Sequence, residues 1–526
     1  MQKYEILINE WRRFMSKVAK ATIGLFMVTM LSKIFGFARE TILVSVHGAG
    51  MVTDAFITSM NIPTVIFSTI GSALATTFIP MYYTVEKELG KDGTDKFVNN
   101  IFNMIVVVSL ILSVIGYIFS DELVKIFAMS YTGEKLRLAS EFTRIMIWGM
   151  VFIGLSNIMT CLMNINSKFV VPSITGIPFN IIIILGIFLS AKYDVRLMPI
   201  FTLIAMSSQF LFQLPVSYKD GFRYKFYINL KDKYIKKTLI LVLPVFIGVG
   251  VNQLNTVVDR TLASTLGDGI ITILNDASIL NTFVIGVFIS SIQSVVYPLL
   301  SKLSSEGNST AATNIIRKSV NVVIILMIPI AVGIIVLSIP IVQLAFERGK
   351  FNHAATLLTA SALSFYAIGL PASGLRNILG NVFYSFGDTK TPMRNGMIAM
   401  VMNICMNILF IKFMGHCGLA FATSVSATIC IFLLFISLRK KIKYFGQDKI
   451  IITTIKSIIA SLVMGIVVYF IYKIFLIRGI YSTKKLLKVL FVTVSSGALV
   501  YGLLIHLMKV DEVEMLLDIF KSKLKK

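Results

Sequence analysis

Long apolar runs recur from one end of this chain to the other, and no other feature limits its fold as much. About 20 apolar residues in a helix cross the hydrocarbon core of a bilayer. Lipid offers the backbone no hydrogen-bond partners, so only helices and closed barrels span it. Barrel strands read as short alternating segments. The runs here are continuous, so the spans are helices. Of 526 residues, 56% are hydrophobic and only 14% charged, with mean hydropathy +0.83. A soluble protein carries about 25% charged residues, and a large core does not account for the difference.

The expected fold is all-α and polytopic, with about fourteen transmembrane helices by the length criterion. The runs fall at 21–46, 54–83, 97–119, 138–163, 169–191, 198–218, 237–266, 274–300, 319–345, 356–384, 394–413, 417–438, 451–473 and 486–508. Before them, Leu7, Trp11, Phe14 and Val18 stand at helical spacing with Arg12, Arg13 and Lys17 between them, the pattern of an interfacial lead-in helix over residues 1–20. No small-residue cleavage site follows the first run.

The net charge of +24 sits in short loops. In a soluble protein it would point to nucleic acid; here it reads as a cationic cytoplasmic face, so no nucleic-acid partner is expected. With the N-terminus inside, the inside loops include Lys87, Lys91 and Lys96, the stretch 219–237, "RKKIK" at 439–443 and the terminal "KSKLKK". Outside loops such as "HGAGMVTD" and "GDGIIT" lack Lys and Arg. Both termini are therefore expected in the cytoplasm. One loop dissents, with Arg478, Lys484 and Lys485 outside. Four cysteines are scattered without a CxxC, and His416 beside Cys417 is the one weak metal signal, so no metal is expected.

The halves repeat. Arg39 pairs with Arg260, Asp54 with Asp276, Pro80 with Pro298, Lys168 with Lys390 and Asn180 with Asn403, at offsets between 218 and 223 residues. A repeat of six spans is even, so both copies share one orientation, with a site between two bundles related by an axis along the membrane normal. The expected organisation is an N-terminal lobe (21–218), a basic linker (219–236), a second lobe (237–438), a helix pair (451–508) and a basic tail (509–526). Two bundles able to rock about a central site favour a transporter over an enzyme.

The intramembrane charges are the candidate site, because burying an ion in lipid is costly without a partner or water. Arg39 lies about 28 Å along the helix from Lys20, late in the first span. Its bland reading is an anchor at the outer interface. Arg260 holds the equivalent place in the second half, and the doublets Arg39–Glu40 and Asp259–Arg260 repeat, which favours a cavity. Lys33 is deeper and about 120° away around the helix, with pairing to Glu40 as its bland reading. Arg144 and Arg376 are further cavity candidates; for Arg144 the alternative is a structural pair with Glu141 or Asp54. Asp54 and Asp276 read first as helix N-caps. Asn180, Asn403 and Asn407 read as interhelical hydrogen bonds, and Pro63 and Pro80 as kinks or ends of span 2. Gly36, Gly71 and Gly176 permit either bending or close packing. Cations in a hydrated cavity imply an anionic ligand, and Arg matches phosphate bidentately.

"SKIFGFARETILVSVHGAGMVTDAF", "FIPMYY", "VDRTLAS", "YPLLSKLS", "FERGKF" and "YSFGDTKTP" resemble the lipid II flippase (MurJ/MviN) family of the multidrug/oligosaccharidyl-lipid/polysaccharide exporter superfamily. The resemblance covers nearly the whole chain. It implies fourteen helices in two six-helix lobes, plus a C-terminal pair whose groove takes a lipid tail. It implies movement of the undecaprenyl-diphosphate-linked peptidoglycan precursor across the bacterial plasma membrane by alternating access. No cofactor is expected, only an ion gradient or the membrane potential, and the chain is expected to act as a monomer among membrane lipids. Arg39, Arg260 and Lys33 then bind the diphosphate, and Asp54 positions or gates. Lys33 stands where the family usually has arginine. Phe67 and Ser68 fall where basic residues usually follow in helix 2, and Ile279 replaces a family arginine in helix 8. These losses leave open a paralogue for another polyprenyl-linked glycan. A cation-coupled drug antiporter of the superfamily would want buried carboxylates without the arginines. A membrane glycosyltransferase would want paired acids on a sizeable outside loop. No GxxxxGK[ST] phosphate loop is present.

Overall fold

The computed structural model describes residues 24, 27–306, 309–477 and 482–514. The expected lead-in helix over residues 1–20, most of the tail, and Arg478 of the dissenting loop lie outside the described residues. Among those described, every regular element is a helix.

The chain groups into two units, Met1–Thr265 and Leu266–Lys526. The first opens with α1 (27–47) and α2 (Met51–Ile118). Gly48 at φ 75 makes the tight turn between them, and Thr53 closes it by donating to the Gly48 carbonyl at 2.6 Å. The long α2 covers two of the expected spans. It runs on through Pro63 and Pro80 and is interrupted at Gly90 (φ 65, ψ −164). Pro80 therefore does not end the span. The break falls at the residue with no Cβ to oppose a positive φ, nearly three turns later. Then come α3 (Ser120–Phe127), α4 (Gly133–Met146), α5 (Gly149–Ile165), α6 (Val170–Ile174), α7 (Gly176–Lys192), α8 (Leu197–Lys219) and α9 (Lys233–Ser264).

Three contacts fix α9 within this unit. Asp232 caps it, accepting from the Tyr234 and Ile235 amides at 2.7 and 3.3 Å. Glu88 of α2 accepts from the Tyr234 hydroxyl at 2.7 Å. At the other end Thr261 donates to the Ile126 carbonyl at 2.7 Å. Repeat spacing assigns this helix to the second half, whereas its packing groups it with the first unit. The segment before it is extended and held by asparagines of α2. Asn99 donates to the Arg223 carbonyl (2.9 Å) and accepts from the Lys225 amide (2.7 Å). Asn100 does the same for both backbone groups of Asn229 at 3.0 Å. Asn103 reaches the Lys225 and Tyr227 carbonyls.

The second unit holds α10 (Ile270–Ser305), α11 (Ser309–Val336), α12 (Ser338–Phe346), α13 (His353–Ile368), α14 (Leu370–Ser385), α15 (Lys390–Met414), α16 (His416–Ile442), α17 (Gln447–Ile477) and α18 (Thr483–Leu507). The last pair docks on α11. Tyr501 of α18 shares a 2.8 Å hydrogen bond with Ser457 of α17 and donates to the Ile325 carbonyl of α11 at 2.9 Å. Leu337, Ala460, Met464, Val468 and Leu490 pack around it.

Among the described residues, nine helices are long and apolar enough to cross a membrane, or up to eleven with two bent pairs, α4–α5 (44°) and α13–α14 (45°). Large apolar side chains lie open on them, among them Ile111, Phe491 and Leu499 at 53, 73 and 74% exposure. In water that would be an aggregation surface; against lipid it is the ordinary exterior. Small residues let the helices close up. A Cβ on Gly71 would fall 2.2 Å from Asn157, and one on Gly176 2.0 Å from Ser32. Of the two roles open to these glycines, close packing is the one seen.

Candidate functional site

The charged residues of the membrane helices fall into a few settings. On α1, Arg39 is hydrogen-bonded to Glu40, and both side chains are largely buried. Neighbours in a helix sequence do not share a face, but Arg is long enough to reach round. Glu40 therefore meets Arg39 rather than Lys33. Lys33 is exposed and makes no ion pair among the described residues. It is the accessible cation of that helix.

Asp54 is fully buried in the first turn of α2. The N-cap of that helix is Gly50, so Asp54 is not a cap. Its carboxylate accepts from Lys135 of α4 at 2.8 Å. Lys135 also lies over the Tyr131 ring, 4.3 Å from its centre, and Tyr131 meets Thr58 at 3.2 Å. One turn on, Ser59 donates to the Ala139 carbonyl at 2.8 Å. Asp54 thus ties α2 to α4, sealed from solvent. Lys135 was not among the sequence candidates. The signal was the rule that a buried carboxylate needs a cation, but nothing in the sequence says that the residue 81 positions on supplies it.

Asp276 is also fully buried and is no cap, since α10 starts after Gly269. Arg260 and Asp259 are half-buried near the end of α9. Asp259 accepts from Asn255 one turn earlier at 3.4 Å. Arg144 donates to Ser120 at 2.8 Å and pairs with Asp121 at 3.2 Å, both partners on α3 and the pair open to solvent. Neither Glu141 nor Asp54 is its partner; Glu141 is held by Arg196 at 3.2 Å. Arg376 is exposed on α14, its guanidinium beside Gly396 of α15.

The positions that depart from the family pattern are now legible. Phe67 is fully buried and packs against Gly154 of α5. Ser68 accepts from Gln253 of α9 at 3.0 Å. Phe67 is thus core, and Ser68 belongs to a neutral polar contact. Of the asparagines, Asn403 donates to Ser426 of α16 at 3.3 Å, an interhelical bond. Asn180 bonds along its own helix to the Gly176 carbonyl, and Asn407 to Asn403. His416 contacts Ser361 at 3.0 Å and Cys417 at 3.5 Å. No group of three metal-ligating side chains occurs among the described residues. An apolar recess of about 390 Å³ lies between α11 and α17, floored by Gly465.

Together these features define a helical, multi-span membrane protein with charges held inside the span region. Its fold is shared with a multidrug resistance MATE family transporter of the MOP superfamily in an inward-facing conformation, at TM-score 0.65 and 14% identity over 81% of this chain and 99% of that one. A closer likeness is to a structure of lipid II flippase MurJ in an inward closed conformation, at TM-score 0.79 and 29% identity, covering 92% of this chain and 98% of the other. The family profile described as lipid II flippase MurJ matches residues 43–490. A relative named as a probable lipid II flippase MurJ, from Buchnera aphidicola subsp. Baizongia pistaciae (strain Bp), is 27% identical over 489 residues, 91% of this chain and 95% of its own. The chain belongs to the lipid II flippase MurJ family.

Proposed function

We propose that this protein flips lipid II, the polyprenyl-diphosphate-linked peptidoglycan precursor, across the bacterial plasma membrane by alternating access. The observation that carries the reading is the family match from residue 43 to 490, in a chain whose first membrane helix presents an exposed Lys33 beside the Arg39–Glu40 pair. About fourteen spans, two six-helix lobes and a C-terminal pair describe the working transporter, with both termini cytoplasmic, a placement that most of the basic loops support. Lys33, Arg260 and Arg39 meet the diphosphate, Arg39 by exchanging Glu40 for a phosphate oxygen. Asp54 keeps α2 and α4 in register. The recess between α11 and α17 takes part of the polyprenyl tail.

With no phosphate-loop motif in the sequence, the energy source is an ion gradient or the membrane potential. A cation crossing the full potential exchanges about 2.3 kcal/mol per 100 mV. With the inside negative, this draws the empty cationic cavity back inward.

Complementation of a strain depleted of its lipid II flippase tests the reading. Wild type restores growth; Lys33→Ala and Arg260→Ala, present at wild-type levels in the membrane, do not. Failure of the well-expressed wild type would move the substrate to another polyprenyl-linked glycan.

A further inference from the structure

Where α16 runs out into Arg439, Lys440 and Lys441, two recesses of the second unit share one wall. The first, about 530 Å³, lies between α11, α14, α16 and α17, and is lined by apolar side chains such as Ile328, Pro371, Ile431 and Ile451. Arg439 and Gln447 are its polar rim. The second, about 500 Å³, is polar: Thr310, Asn314, Arg317, Tyr444 and Lys449 line it. Phe445 belongs to both. It is buried and stacked on Phe435 at 6.1 Å and 9° between planes.

The polar recess is cationic by construction. Gly446 has φ 84, and a Cβ there would fall 2.5 Å from Arg317 Cδ. The absent side chain lets Arg317 lie flat across the loop, with Asn314 accepting from its guanidinium at 3.1 Å. One acid, Asp511, is shared between Lys449 (3.4 Å) and Arg317 (3.9 Å). A second acid, Asp448, accepts from Tyr444 at 2.7 Å, so with Arg439 at the rim three cations face two carboxylates. Of the slot's own lining, Phe432, Ile436 and Ile451 are 63, 54 and 59% exposed, so the slot opens onto the lipid-facing surface.

We infer that these recesses together hold one anionic glycerophospholipid, with acyl chain in the apolar slot and phosphodiester against Arg317, Lys449 and Arg439. An apolar slot opening beside a cationic niche, at a basic membrane boundary, is complementary to a lipid that is oily at one end and negative at the other. The bound lipid fastens α11, α16 and α17 at that surface and stabilises the fold by mass action. The site is built from other helices than those carrying the α1 and α9 charges and does not depend on which headgroup is transported.

Native mass spectrometry of the full-length protein tests this, with phosphatidylglycerol and phosphatidylethanolamine of matched chains as probes. One phosphatidylglycerol is retained in preference to phosphatidylethanolamine. Arg317→Gln and Lys449→Gln each weaken it about fivefold, from roughly 1 kcal/mol per basic residue near an anionic lipid. Thr454→Trp, which fills the slot and leaves the charges, abolishes retention. Melting temperatures in zwitterionic nanodiscs verify that the variants fold, and Arg439→Gln substitutes for either that does not. Equal retention of both lipids, or unchanged binding in the charge and slot variants, overturns the inference. So does displacement of phosphatidylglycerol by undecaprenyl phosphate at lower concentration, which would make this a polyprenyl site.

Discussion

Asn99 and Asn321 stand 222 residues apart, the spacing of the internal repeat, and both are almost fully buried. Each secures a segment that leaves its unit's helices, but the partners differ in kind. Asn99 grips backbone: it gives one hydrogen bond to the Arg223 carbonyl and takes one from the Lys225 amide. Asn321 grips a carboxylate, that of Glu512 just beyond α18, at 2.8 Å. The first arrangement is neutral and reciprocal. In the second, one carboxylate oxygen and the Asn321 carbonyl oxygen are buried without a hydrogen bond among the described residues. The repeat has kept the anchoring position and not the chemistry, so matching residue types between halves finds only part of it.

Breaking the second anchor has the larger expected effect. Asn321→Leu removes the donor to a buried carboxylate, and hydrogen bonds to charged groups contribute about 1.5–3 kcal/mol. Thermal unfolding in detergent reads the loss. Adding Glu512→Leu recovers most of it, because the stranded charge is gone. A double variant no more stable than Asn321→Leu alone would mean that the carboxylate is not what the asparagine serves.

The fold was legible because lipid leaves the backbone so few choices. Apolar runs announced helices, and exposed Phe491 and Leu499 fit that setting. Side-chain partners were not legible, since they depend on which helices approach. Spacing put Glu40 with Lys33, but a buried carboxylate takes the nearest guanidinium, that of Arg39. Asp54 looked like a cap because it opens a span, yet the helix begins earlier at Gly50 and leaves it one turn inside, facing Lys135. "NNIFN" at 99–103 falls inside an expected span, where asparagines do not announce their partners. Their role needs the extended segment 223–229 laid beside them, and sequence alone does not show that approach.

The first anchor gives a smaller, more local effect. Asn99→Leu strips partners from one carbonyl and one amide, each neutral, at about 1–3 kcal/mol if both stay buried. The extended segment has water available when it loosens, so the lower end of that range is expected. Hydrogen exchange locates the change: the Lys225 amide loses protection, while that of Asn229, held by Asn100, loses less. Equal loss at both would show that the asparagines act as one cooperative clasp rather than separate bonds.

The smallest effect belongs to a pair of ties that differ only in polarity. In the first unit Lys168, in the turn after α5, pairs with Asp220 at the end of α8. In the second, Asp388, in the turn after α14, pairs with Lys441 at the end of α16 at 3.0 Å. The acid and the base have changed places. Asp388 also accepts from the Thr391 amide at 3.0 Å and its hydroxyl at 2.9 Å. That amide bond, then Lys441, holds its carboxyl down at about 2, against an ordinary 3.8. A depressed carboxylate contributes stability that is complete above its unfolded value and is lost as pH falls through its folded one. The stability gap between wild type and Asp388→Asn is therefore full above 3.8 and closes as pH approaches about 2. The tie is near the surface, so the gap stays under about 1 kcal/mol. A gap that is unchanged across that acid range would assign the contribution to the Thr391 hydrogen bonds, which an amide partly keeps, and not to the charge.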